Sequence, residues 1–177
     1  MAVWRHVRAI GLLPGVVAVA APTVILWQTE AVSVGWGLPP ALALLPVLLG
    51  VALIAVGLAL VVWTIRLFAV VGRGTLAPWD PTARLVVDGP YSHVRNPMIT
   101  GVAAILAGEA ALLGSAPLAA WFASVVVVNA LYLPLVEEAG LRRRYGDEYE
   151  LYRANVPRWL PRLRPWSAAD GHGSSRA

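Results

Sequence analysis

Four apolar runs, separated by short polar or Gly/Pro-rich breaks, set the plan of this chain. Residues 9–29 carry no charge, 41–67 carry Arg66 alone and near the end, 97–113 carry Glu109, and 117–136 carry none. Each reaches the roughly 17 residues that a bilayer-crossing helix needs at its shortest. The pattern predicts an all-α fold, a polytopic membrane protein of about four transmembrane helices at 9–29, 41–67, 97–113 and 117–136.

The breaks say how those helices connect. Pro14 and Pro22 predict kinks in the first, and its length marks it as a retained helix in spite of a basic start that resembles a signal peptide. Glu30 and 31–37 form a loop with Trp36 near the interface, and Pro39-Pro40 open the second helix. Val71-Gly72-Arg73-Gly74-Thr75 ends it, Gly72 and Gly74 reading on their own as a helix C-cap. A segment rich in turn-formers follows to about Tyr91; it is expected to be an ordered cap in which 84–87 makes only a brief extended piece. Asn96 reads as an N-cap and Pro97 as the first residue of the third helix. Gly114-Ser115-Ala116 is so short a link that the third and fourth helices must form an antiparallel hairpin.

Past the fourth run the pattern becomes amphipathic. Pro134 predicts a bend just before Glu137-Glu138. Leu141, Tyr145, Tyr149, Tyr152 and Val156 recur at helical spacing, which predicts a face packed on the bilayer or on the cap. Gly146 divides this stretch into two helices, the second opening with Asp147 and Glu150 in a capping-box pattern. Pro157, Pro161 and Pro165 prevent further helix, and 167–177 is small and polar, hence expected to be disordered. Residues 1–166 are therefore read as one membrane domain with C-terminal amphipathic helices.

Composition agrees: 58% of the 177 residues are hydrophobic and 14% charged, against about a quarter charged in soluble domains. There is no Cys, and His6, His93 and His172 are scattered, so disulfides, thiolate chemistry and a metal centre are not expected. The 14 basic residues are all Arg, which excludes a Schiff-base lysine. Every Arg falls on the side of the predicted helices that holds both termini. The positive-inside rule places that face in the cytosol and the protein in the inner membrane. With this hydropathy the basic balance points to anionic lipid, not nucleic acid.

The polar chemistry gathers in two stretches, 89–101 and 137–162, which the hairpin brings to the same end. A pair of carboxylates, several Arg, aromatic rings and the positive end of a helix dipole would suit a zwitterionic ligand bearing an aromatic group. The competing readings are interfacial anchoring for Tyr91 and Arg95, and helix-surface ion pairing for Glu137, Glu138 and Arg142 to Arg144. Glu109, about one turn from the far end of its helix, reads as snorkelling or bonding between helices, and Asn129 as its partner or an ordinary helix contact.

Gly-Pro-Tyr-Ser-His-Val-Arg-Asn-Pro-Met-Ile-Thr-Gly resembles the Gly-x-Tyr-x-x-x-Arg-His/Asn-Pro-x-Tyr-x-Gly signature of the isoprenylcysteine carboxyl methyltransferase family and its bacterial phospholipid methyltransferase-like relatives. Glu137-Glu138-x-x-Leu141, Tyr145-Gly146-x-x-Tyr149-x-x-Tyr152 and Val156-Pro157-Arg158-Trp159 supply the second block. The resemblance implies S-adenosylmethionine bound at the cytosolic ends of the last helices and a lipid-linked acceptor entering from the bilayer. It further implies a Gly-x-Gly element acting with the Glu-Glu pair, which raises Gly72 and Gly74 above a C-cap. The expected cofactor site is Gly72, Gly74, Tyr91, His93, Arg95, Asn96, Pro97, Glu137, Glu138 and Tyr149, with Arg95 and Glu138 serving catalysis. Two positions depart from the signature: Asn96, which cannot serve as an acid or base, and Ile99, which lacks the hydroxyl and ring of the usual Tyr. With no better base than Glu137, Glu138 or His93, a carboxylate acceptor is favoured over an amine or thiol. A phospholipid amine or small thiol methyltransferase is the near alternative; an NADPH-dependent membrane reductase and a non-catalytic scaffold are the distant ones.

Overall fold

In the computed structural model the described residues are 11–71 and 85–167, and their regular structure is entirely helical. A π-helical stretch, Gly11–Ala20, runs into α1, Ala21–Thr29. A turn at Val34–Gly37 leads to α2, Pro40–Val70. A second turn, Gly89–Ser92, precedes α3, Pro97–Leu113, then α4, Ala116–Tyr132. A π-helical stretch at Leu133–Glu137 continues α4 into α5, Glu138–Tyr145, and α6 covers Asp147–Asn155.

The two π-helical stretches each contain a proline, Pro14 and Pro134. A proline inside a helix has no N–H to give and crowds the carbonyl four residues back, and a local widening of the turn accommodates it. At Pro134 the expected bend is thus a π-helical stretch, and the helix does not stop at 136 but runs on to Tyr145.

Among the described residues two helices are long and apolar enough to cross a membrane, Pro40–Val70 and Ala116–Tyr145; Pro14–Thr29 and Pro97–Leu113 are apolar but shorter. Leu44, Leu45, Leu48 and Leu58 on α2 and Val127, Val128 and Leu131 on α4 turn outward. In water so much exposed aliphatic surface would drive aggregation, whereas a bilayer accepts it.

The helix α3 sits at the centre, packed on α2, on α4 and on the π-helical N-terminal stretch. Its closest approach is to α2. A Cβ on Gly57 would lie 2.5 Å from the Gly101 carbonyl oxygen, and one on Gly50 would lie 2.7 Å from that of Gly108. These glycines are spaced seven apart on both helices, two turns, so the two backbones meet twice along one antiparallel seam. Beside the seam lies a core of Ala18, Val61, Val102, Ile105, Leu106 and Val125. At the far end, Trp36 Nε1 donates to the Ala111 carbonyl and Ser33 N–H to that of Leu113. Gly114 ends α3 in the left-handed region with φ +57°, where a side chain would collide with Ser33. Trp121 Nε1 donates to the Val17 carbonyl and ties the N-terminal helix to α4.

At the other end the amphipathic face folds as expected, and its partner is the cap. Tyr149, Tyr152 and Val156 form a cluster with Trp166, packed by Leu85, Val87 and Leu141. The stretch 85–87 is irregular and not extended strand, though Val86 is buried. The capping box expected at Asp147 does not form: Gly146 occupies the N-cap position without a side-chain bond, and Glu150 turns instead to Arg142 at 2.7 Å and to Arg153 at 3.4 Å. Nearly all of the tail expected to be disordered, 168–177, lies outside the described residues.

Candidate functional site

The polar end is built on the loop that starts α3. Gly89 adopts φ +57° beside Trp63 and Leu67 of α2, which turns the chain so that Tyr91 sets its ring edge-on to Phe68, 5.6 Å between centroids. Asn96 stands at the N-cap position of α3, but its side chain makes no capping bond; its carbonyl takes the Thr100 N–H and hydroxyl instead. The Asn96 side chain lines a cavity.

A segment without regular structure fixes the loop from behind. Residues 157–166 run beside 92–95, with Arg95 N–H donating to the Pro157 carbonyl at 2.9 Å, Arg162 N–H to that of His93 at 3.0 Å, and Trp166 N–H to that of Ser92 at 3.0 Å. His93 Nδ1 lies 2.7 Å from the Arg162 carbonyl oxygen. Tyr152 donates its hydroxyl to the Tyr91 carbonyl at 2.8 Å. Burial raises the phenols of Tyr91 and Tyr152 above their ordinary range, so both stay neutral at physiological pH and Tyr152 remains a donor.

Arg95 reaches from this loop to Glu138 on α5. Its Nη1 donates to Glu138 Oε1 at 2.8 Å, Arg158 Nε donates to the same oxygen at 2.8 Å, and Arg153 Nε lies 3.5 Å from Oε2. Three guanidiniums thus surround a carboxylate that is 5% exposed. Burial first and the Glu138 charge second raise the Tyr149 phenol above its ordinary range, against the opposing pull of the Arg95 guanidinium. Yet Arg95 Nε is buried without a partner among the described residues. A buried guanidinium N–H left unbonded costs about 1–3 kcal/mol or more.

A cavity of about 640 Å³ opens between these elements. Its polar wall is Arg95, Asn96, Glu137, Glu138 and the Arg143–Arg144 pair; Phe68, Met98, Ile99 and Val136 form an apolar wall continuous with the long helices. Tyr91, Tyr149 and Tyr152 line it too. Six of the residues expected from sequence therefore share one cavity: Tyr91, Arg95, Asn96, Glu137, Glu138 and Tyr149. His93 and Pro97 do not; they line a second cavity of about 510 Å³ with Trp63, Pro161 and Pro165. Gly72 and Gly74 lie outside the described residues. Sequence reading missed Arg153 and Arg158 as partners of Glu138. The Val-Pro-Arg-Trp block was the one signal available, and only the fold brings Arg158 back across 20 residues.

Of the other polar groups, Arg142 pairs with Glu150 of α6, whereas the surface pairing read from sequence sets Arg142, Arg143 and Arg144 against Glu137 and Glu138. Asn129 donates to the Val125 carbonyl of its own helix, and one oxygen of Glu109 is buried without a partner among the described residues.

A family model described as phospholipid methyltransferase matches residues 45–148, which takes in most of α2 and all of α3 to α5, with the whole polar wall of the cavity. Protein-S-isoprenylcysteine O-methyltransferase from Schizosaccharomyces pombe is 36% identical over 77 residues, 44% of this chain. The chain spans 33% of the length of that curated relative. No solved structure matches significantly.

Proposed function

The chain belongs to the phospholipid methyltransferase family, and from that premise we propose that it transfers a methyl group from S-adenosylmethionine to a lipidic acceptor at the cytosolic face of the inner membrane. The observation that carries the reading is the 640 Å³ cavity, in which Arg95 and two carboxylates face an apolar wall. Its volume is that of a small-molecule site. Its two walls suit a polar cofactor on one side and a lipid chain on the other.

The residues present fit the cofactor. Arg95, which lines the cavity beside the start of α3, is suited to the methionyl carboxylate. Glu137 faces the cavity without the guanidinium partners of Glu138 and suits the amino group or the ribose hydroxyls; Tyr91 and Tyr149 offer ring faces to the adenine. The family resemblance assigns Gly72 and Gly74 to cofactor binding as the Gly-x-Gly element. When bound, the cofactor supplies a methyl group on a sulfonium that leaves without an acid. The chain must therefore position the acceptor and exclude water, and its apolar wall and cap supply both. Asn96 can hydrogen-bond the acceptor or cofactor but moves no proton. That favours an acceptor already ionised, as a carboxylate is, in keeping with the isoprenylcysteine O-methyltransferase relative; a phospholipid amine, in keeping with the family's description, is the second arm of the test.

The same proposal takes 1–166 as one membrane domain of four crossings with both termini in the cytosol. The Arg positions support it, as do the two shorter apolar helices, which at about 24–26 Å need only slight bilayer thinning. Calorimetric titration of the purified protein with S-adenosylmethionine should release or absorb heat at one site. Labelled-methyl assays with prenylcysteine analogues and with phosphatidylethanolamine then separate the acceptors. Binding of NADPH in place of S-adenosylmethionine would sink the proposal.

A further inference from the structure

Glu138 and Arg95 both line the cavity, yet two of the three cations on Glu138 do not. Arg153 and Arg158 stand behind it. They are not equivalent. Arg153 is divided between two acids, 3.5 Å from Glu138 Oε2 and 3.4 Å from Glu150 Oε2. Among the described residues Arg158 bonds Glu138 alone, at 2.8 Å, on the oxygen that Arg95 also uses. Its neighbour Pro157 accepts the Arg95 backbone N–H at 2.9 Å. Two consecutive residues outside the cavity therefore hold both ends of Arg95: its main chain directly, its guanidinium through one shared carboxylate oxygen.

We infer that Arg158 is a positioning residue for the methyl-transfer site, fixing Glu138 so that Glu138 in turn aims the Arg95 guanidinium into the cavity. The inference rests on the function proposed above and assigns a task to the otherwise irregular segment after α6. Physically, a carboxylate bonded by a single guanidinium can rotate about its last two torsions, and Arg95 would rotate with it. A second charge-assisted bond to the same oxygen from a fixed direction removes that freedom. Arg153 cannot replace it, because its bond is longer and is shared with Glu150. The geometry also recasts Glu138. Its lone pairs on Oε1 are spent on Arg95 and Arg158, so it serves as the hinge between strap and cavity, and Glu137 is left to meet the ligand.

The test is calorimetry with S-adenosylmethionine on the purified full chain, with thermal unfolding in parallel. R158A should weaken binding by about tenfold, the usual loss when the outer partner of a ligand-holding side chain is removed. R158K should recover only part of it, since the ammonium keeps the charge but not the directed Nε–H. In an R95K background, where the Nη1 bond is already lost, R158A should cost no further affinity while still lowering the melting temperature. A purely structural role would instead reduce affinity equally in both backgrounds, and that result overturns the inference. So does wild-type affinity in R158A. If R158A does not fold, R158Q is read by the same criteria. Failure of the wild type to bind S-adenosylmethionine removes the function itself; a binding wild type with an unaffected R158A removes only the role given to Arg158.

Discussion

The seam between α2 and α3 and the guanidinium cluster at the start of α3 hold the same helix by opposite means. Along the seam, Gly50, Gly57, Gly101 and Gly108 let two backbones touch, and an added Cβ would overlap a carbonyl oxygen at either crossing. Close backbone contact does the holding, and no space is left. At the cluster, four charged side chains are committed to one another across segments far apart in sequence, and beside them lies an open cavity that Arg95 and Glu138 both line. The two are mechanically linked, because Gly101 is one turn from Pro97 and so the seam sets where Arg95 begins. Shape fixes the position of α3; charge fixes what its first turn presents. Damage to the seam should therefore cost the fold and, with it, function. Damage to the cluster should cost function first.

The largest effect belongs to Gly57→Leu. Overpacking usually costs about 1–3 kcal/mol where side chains can shift. Here the obstacles include the Gly101 carbonyl at 2.5 Å and the Ile105 nitrogen at 3.0 Å, both main chain. The loss should fall at or above the upper end of that range, read as little folded protein in detergent and an early, broad thermal transition. A variant that folds normally would show that the seam does not set the position of α3. Next comes Glu138→Ala, which leaves three guanidiniums around an empty space. A fully buried pair broken in this way costs about 3–5 kcal/mol. Arg153 and Arg158 are 35% and 25% exposed and water will screen them, so about 1–2 kcal/mol is expected. The protein should stay folded, with affinity for S-adenosylmethionine falling far more than the melting temperature. Equal losses in both would erase the distinction between seam and cluster.

Much of this was legible in sequence, for physical reasons that differ by element. Pro97–Leu113 is bounded by Pro97 and Gly114, chemical signals that act where they stand, and the helix begins and ends as read. The helix after Gly114-Ser115 is harder to read. Pro134 and two carboxylates point to an end at 136, whereas a π-helical turn absorbs the proline and the helix continues to Tyr145. Tyr91, Arg95, Asn96, Glu137, Glu138 and Tyr149 could be placed together because a hairpin must bring its two ends to one side. His93 falls instead to the second cavity, since adjacency in a loop says nothing about which face a side chain takes. The seam was invisible because a glycine pair seven residues apart gains meaning only opposite another. The Arg158–Glu138 bond was invisible because an irregular segment has no period by which to predict its return.

The smallest effect tests how firmly the cap side of the cluster is held. Tyr152→Phe removes the hydroxyl that donates to the buried Tyr91 carbonyl at 2.8 Å and leaves the ring packed 5.7 Å from Trp166. One such bond is worth about 1 kcal/mol net, so the melting temperature should drop by a few degrees with the cavity intact. The variant also separates two origins of alkaline sensitivity. Burial raises the Tyr152 pKa above its ordinary 10.0, so the folded state keeps a proton that the unfolded chain releases. Stability from this group is complete below its ordinary pKa of 10.0, and it falls as pH rises past that value until the folded phenol also ionises. Tyr91, raised by burial with Tyr152 and Glu137 adding to it, contributes in the same direction. Thermal unfolding followed above about pH 10 should therefore decline less steeply in Tyr152→Phe than in the wild type. An unchanged slope would mean that Tyr152 titrates as it does in water, and that the contact between α6 and the loop before α3 is open to solvent.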